Sequence, residues 1–193
     1  PLLNKMDGRM KPFAFNGAWV TYHPNNAQEL QVAWLNRISP RSTVEWFDFN
    51  EGIGLADNGF QPDGTPAQYH EHQGSRGLAL LGYQRHLKHL DLKFYHWYLH
   101  HLSHTSWIAL EYRQAQWTIG LQYALQFPDT FQKDLVYNQR YVQPEENGQA
   151  LSGQLRWEPG AFDIKAAYTR AFSSGRFLFP RELGRDQFYT SIS

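Results

Sequence analysis

The chain has 193 residues, 18 basic and 18 acidic side chains, and no cysteine. Balanced charge excludes a whole-molecule attraction to nucleic acid or to an anionic membrane surface. The lack of thiols excludes disulfides and thiolate metal sites. Aromatic residues make up 16% of the sequence, although mean hydropathy is low. Rings in that proportion suit either a soluble core or belts at the two water–lipid boundaries of a membrane barrel. No apolar run reaches the roughly 18 residues of a membrane helix, so a spanning structure must be closed β-sheet.

In chain order, segments of about ten residues recur, the length of a tilted membrane strand. Phe13 to Tyr22 and Leu78 to Arg85 read as strands whose facing stays open, because both faces carry apolar residues. Leu30, Val32 and Trp34 alternate with Gln31, Ala33 and Leu35. Leu90, Leu92, Phe94, His96 and Tyr98 form a strand face opposite Asp91 and Lys93, while Leu90, Phe94, Trp97 and His101 fit a helical stripe equally well. The β-forming neighbours and missing caps favour strand.

Ile108, Leu110 and Tyr112 face away from Ala109, Glu111 and Arg113. Trp117 to Phe127 is the clearest strand, with Trp117, Ile119, Leu121, Tyr123, Leu125 and Phe127 on one face and Thr118, Gly120, Gln122, Ala124 and Gln126 on the other. Leu151 to Trp157 and Phe162 to Thr169 repeat the scheme. Short turns are expected at His23–Asn26, Arg85–Lys88, Gln114–Ala115 and Glu158–Gly160. Long links are expected at Ser39–Ser75, His101–Thr105, Pro128–Asn147 and from Phe172 onward. Sorting of connections by parity is the mark of an outer-membrane barrel, with tight periplasmic turns and long external loops.

Charges facing lipid at mid-membrane cost about 2–4 kcal/mol for each Arg or Lys, so the favoured phase turns them inward. Lys93, Arg113, Arg156 and Lys165 then line a wet lumen beside Asp91, Glu111 and Asp163. The basic groups attract anionic solutes and the acidic ones cationic solutes, and both also brace the wall. The Ser39–Ser75 link, with Trp46, Phe47, Phe49 and Phe60, is expected to fold into the mouth, since four aromatics are costly to leave in water. His70-Glu71-His72 and the group His96, His100, His101 and His104 carry metal-ligating residue types. As solvated loop and rim histidines in contact with water or lipid headgroups they need no metal. No phosphate-cradling loop, nucleophile elbow or diagnostic triad spacing points to an enzyme or a cofactor.

Two passages resemble OprD-type outer-membrane porins. Asp7-Gly8-Arg9-Met10-Lys11-Pro12-Phe13 with Phe15-Asn16-Gly17-Ala18-Trp19 resembles a "D-x-R-x-x-P … G-x-W" passage, and Phe177-Leu178-Phe179-Pro180-Arg181-Glu182-Leu183-Gly184-Arg185-Asp186-Gln187-Phe188-Tyr189-Thr190 resembles an "F-P-R-E-x-G-R" passage, particularly in relatives of the Bacteroidetes branch. The resemblance implies an all-β, antiparallel, up-and-down transmembrane barrel in the bacterial outer membrane, surrounded by lipid, monomeric or trimeric, that passes carboxylates, amino acids or peptides. Such barrels use roughly 16–18 strands. The eight strands counted here are expected to be one region, 1–193, of a longer porin. Arg181, Glu182, Arg185 and Asp186 are expected to brace a loop against the wall. Two alternatives stay open: a small closed barrel with a structural or adhesion role, and a soluble lipocalin-like barrel.

Overall fold

The computed structural model describes residues 13–40, 43–179, 183 and 188–190. Eight long antiparallel strands follow one another in space as in sequence: β1 (Ala14–Asn25), β2 (Gln28–Ser39), β4 (Leu78–His86), β5 (Leu90–Leu99), β6 (Ser103–Gln114), β7 (Trp117–Pro128), β8 (Gly148–Trp157) and β9 (Ile164–Ala171). A short β3 (Phe47–Asp48) pairs with the far end of β2 and leads into a single helical turn, α1 (Phe49–Gly52), capped by Asp48. Among the described residues β1 and β9 do not pair, so the sheet is an open part of a barrel and not a closed eight-stranded one.

The expected alternation fixes the faces. Ile108, Tyr123 and Leu151 stand in one row across β6, β7 and β8, and Leu110, Leu121, Gly153 and Tyr168 in the next. This face is exposed along β7, where Ile119 and Leu121 are about half accessible. From β5 to β8 its positions carry no Asp, Glu, Lys or Arg. Rings collect at both ends: Trp117 stacks on Trp157 at the turn end, and His104 stacks on Tyr98 and Phe127 at the loop end. This is the arrangement of an apolar band between interfacial girdles. A lipocalin-like reading, with the oily residues turned to a cavity, does not match it.

Pairing also settles the two strands left open by their sequence. Val20 and Tyr22 of β1 and Leu81 and Tyr83 of β4 share the outer face with Val32 and Leu30 of β2. A register shift at Asn16 and Gly17 lets β1 follow β2. Only glycine fits there, because a Cβ on Gly17 would stand 2.1 Å from the Trp34 carbonyl oxygen. Leu90–Leu99 is strand and not helix, with Tyr95, Trp97 and Leu99 buried on the inner face.

The connections need correction. The first three tight turns lie further along the chain than expected, at Asn26–Ala27, Leu87–His89 and Ala115–Gln116, and the Glu158–Asp163 turn runs past Gly160. Pro24 and Asn25 still belong to β1. The link after β5 is only His100–Leu102, with His101 at φ 67°, shorter than the β8–β9 turn. Parity therefore sorts three of the four loop-end connections. His70-Glu71-His72 lies in a turn, with Glu71 at φ 61°.

Three loops fold over the inner face and create the molecule's buried core. Phe49, Ile53 and Tyr69 of the first link cluster with Ile38, Leu78, Trp97 and Leu99 of the wall and Leu102 of the short link, joined by Tyr141, Val142 and Phe179 from the later loops. Fully burying such a side chain contributes roughly 1.5–3 kcal/mol. The 40–77 link does fold inward, yet Phe60 and Trp46 remain exposed at 65% and 44%, so only part of its aromatic set is covered.

Backbone polar groups in these loops are answered by buried glutamines. Gln132 accepts from Tyr141 N–H and donates to Gln73 Oε1 and the His101 carbonyl, each at 2.7 Å. Gln143 donates to Gln61 Oε1 at 2.8 Å, and Gln126 accepts from Leu178 N–H at 2.7 Å. An irregular loop can be buried only when its peptide groups find such partners.

Candidate lumenal site

The inner face brings most of the expected charged residues together. Asp91 and Glu111 stand directly opposite each other on β5 and β6. Two carboxylates in that position repel. Arg113, two residues along β6 on the same face, ion-pairs with both at once. Asp91 also accepts from His86 at 2.7 Å, and Glu111 from Gln154 at 3.1 Å. Lys93, opposite Ala109, has no acidic partner among the described residues.

These side chains surround a cavity of about 240 Å³, completed by Trp107, Ala109, Gln122 and Tyr189. Trp107 is 4% exposed, and its indole N–H has no hydrogen-bond partner among the described residues. A buried donor without a partner is costly in a dry site and useful in one that a polar guest enters. Tyr189 arrives from the segment after β9. Its backbone N–H donates to Ser152 Oγ at 3.2 Å, and the neighbouring Thr190 N–H donates to Thr169 Oγ1 at 3.3 Å. Burial, seconded by Glu111, pushes the Tyr189 hydroxyl up to about 12, so it remains protonated.

Arg156, Lys165 and Asp163 form a second group, at the β8–β9 turn. Arg156 and Lys165 are opposite each other in register and would repel. Arg156 turns away to hold Asp163 through two 2.8 Å bonds and to reach Glu158 at 3.1 Å. The Lys165 ammonium rests 6.0 Å from the centre of the Tyr189 ring. Asp163 belongs to the turn, because β9 begins at Ile164. The Arg156 bond holds its carboxyl below the ordinary value. Arg181, Glu182, Arg185 and Asp186 lie outside the described residues, as do Asp7 to Pro12.

Trp107 and Tyr189 were not singled out in the sequence. A tryptophan at the phase of Glu111 and Arg113 was the available signal for the first. The second sits in the porin-like passage but gives no local sign of reaching the lumen. Among the described residues no cluster of three or more His, Asp or Glu side chains has metal-holding geometry.

Neither a family model nor a curated protein matches the sequence. The fold does match solved structures. OpdO of Pseudomonas aeruginosa superposes with a TM-score of 0.63 at 17% identity, over 89% of this chain and 40% of that one. OpdK of the same organism, solved with vanillate, gives 0.61 at 18% identity over 98% and 47%. OccAB3 of Acinetobacter baumannii gives 0.65 at 14% identity over 88% and 38%. The chain spans less than half the length of these neighbours. Its sheet order, its open edges and these superpositions give it the fold of the OprD/Occ outer-membrane porins, as a partial barrel.

Proposed function

We propose that the chain forms part of the wall of an outer-membrane channel for passive, charge-selective diffusion of small polar solutes such as carboxylates, amino acids or peptides. Lipid surrounds the outer face, and no chemical step or cofactor is involved. The carrying observation is the separation of faces. Asp91, Lys93, Glu111 and Arg113 ring an inner cavity, while the outer face of β5 to β8 has no formal charge. Such a partition costs least when lipid lies outside and water inside.

Within that lumen the four groups have different roles. Arg113 is neutralised by its two carboxylates, which makes it a brace as well as a lining group. Lys93, without an acidic partner among the described residues, lines the same cavity as the Trp107 indole, a pair suited to a solute carboxylate. Asp91 and Glu111 offer their remaining oxygen surface to cationic groups. Arg156, Lys165 and Asp163 act as a second charged station nearer the turn end.

The test is the reversal potential of the full-length protein in planar bilayers under a salt gradient. Lys93→Gln is expected to lower relative anion permeability by about twofold, the scale of removing one charge from a focused lumenal field. Unchanged selectivity removes Lys93 from the solute path.

A further inference from the structure

The outer face of β7, β8 and β9 carries a groove of about 650 Å³ that the proposed transport does not use. Leu121, Leu151, Leu155 and Tyr168 form its sides, and Gly153 lies between Leu121 and Tyr168 in register. Internal packing does not demand a glycine there. A Cβ on Gly153 would meet only the Gly120 carbonyl oxygen, at the ordinary contact distance of 3.9 Å. The missing side chain instead leaves a channel between large apolar neighbours.

The groove has a charged end. Arg170, one residue before the loop end of β9, stands opposite Leu151 and therefore points outward. It has no carboxylate partner among the described residues, and its guanidinium lies 5.5 Å from the centre of the Phe172 ring. An outward arginine is costly at mid-bilayer and cheap at the interface, where it meets headgroups. A cation at the boundary above an apolar trough matches one kind of molecule, with a phosphate at one end and a hydrocarbon chain at the other.

We propose that this groove holds a phosphate-bearing membrane lipid, its phosphate on Arg170 and one acyl chain along Gly153 between Leu121, Leu151 and Tyr168. The guanidinium supplies paired N–H donors to phosphate oxygens. The trough supplies apolar contact that a flat lipid-facing wall lacks. This inference rests on the outer-membrane barrel reading, but on none of the lumenal assignments.

Native mass spectrometry of the full-length protein, released from nanodiscs of phosphatidylglycerol mixed with an uncharged glucosyl-diacylglycerol, tests it. Wild type is expected to retain phosphatidylglycerol in preference to the glycolipid. Arg170→Gln should reduce that retention about tenfold, the effect of losing one charge-assisted contact, and leave the glycolipid unaffected. Gly153→Leu, which fills the trough, should reduce retention of both. Equal phosphatidylglycerol retention by all three proteins overturns the proposal, as does displacement by inorganic phosphate alone, which would reduce the site to a free-anion contact. Heat-modifiable migration and channel conductance on the same samples separate the two levels. Normal values with unaltered lipid retention sink the groove alone, whereas a wild type that does not enter nanodiscs sinks the barrel reading beneath it.

Discussion

Gly120 and Tyr189 occupy each other's space: a Cβ on Gly120 would lie 2.2 Å from the Tyr189 hydroxyl oxygen. The two residues come from the first third of β7 and from the segment after the last strand. Their contact brings the ring down against the inner wall, beside Gln154 and over the cavity that holds Lys93 and Arg113.

Gly120→Ala is therefore expected to move the ring. Overpacking with the ring fixed would cost about 1–3 kcal/mol. The colliding atom is the tip of a side chain, so displacement is the cheaper response. Single-channel conductance should rise with little change in folding, and Tyr189→Ala should give the same rise. A conductance drop in Gly120→Ala, or an insensitive Tyr189→Ala, contradicts this arrangement.

The Glu146–Arg176 pair ties the three loops together. Arg176 holds both Glu146 oxygens, at 2.8 and 2.6 Å, and donates to the Phe60 carbonyl at 2.6 Å. Burial works to raise the Glu146 carboxyl, but the Arg176 bonds, helped by Gln143 N–H, outweigh it and hold the value below the usual 4.5. A carboxyl depressed on folding stabilises fully above its unfolded value and loses that contribution as pH falls through the folded one. Loop protection in hydrogen exchange should hold from neutrality to about pH 5 and weaken progressively below about pH 4.5. Glu146→Gln should cost about 3 kcal/mol of local stability by leaving the guanidinium without its counter-charge, and should abolish the acid-dependent step. An acid transition that persists in this variant assigns it elsewhere.

Gln132→Leu keeps approximate volume but strands the Tyr141 N–H and one acceptor on Gln73. Each orphaned buried group costs about 1–3 kcal/mol. Limited proteolysis within residues 129–147 should accelerate by at least about tenfold while the strands stay intact. An unchanged cleavage rate argues that water replaces the amide at no cost.

Ile119 and Leu121 define the oily side. Nitroxide labels at either position in the full-length, bilayer-embedded protein should be quenched by oxygen and not by a water-soluble nickel complex. Leu121→Arg should destabilise by about 2–4 kcal/mol. Labels reporting water would reverse the two faces of the sheet and with them the lumenal placement of Lys93.

The site was half legible. The phase of Asp91 and Lys93, of Glu111 and Arg113, and of Arg156 and Lys165 followed from alternation within each strand. That Arg113 bridges Asp91 and Glu111 did not, because it depends on which residues of β5 and β6 fall opposite each other. Asp163 shows the same limit in reverse, since the alternation of β9 extends back through it although the strand begins only at Ile164.

Alternation by itself determined the β class, the two faces of β7 and which charged residues within a strand share a face, because side-chain direction along a strand has a period of two whatever the partner. Only the tertiary structure decided the faces of β1 and β4, which carry apolar residues on both sides, and the filling of the loop end. Gln61, Gln73, Gln132 and Gln143 look like solvated loop residues in sequence. They are buried because chain segments far apart converge over the wall and their peptide groups must be paired once water is gone.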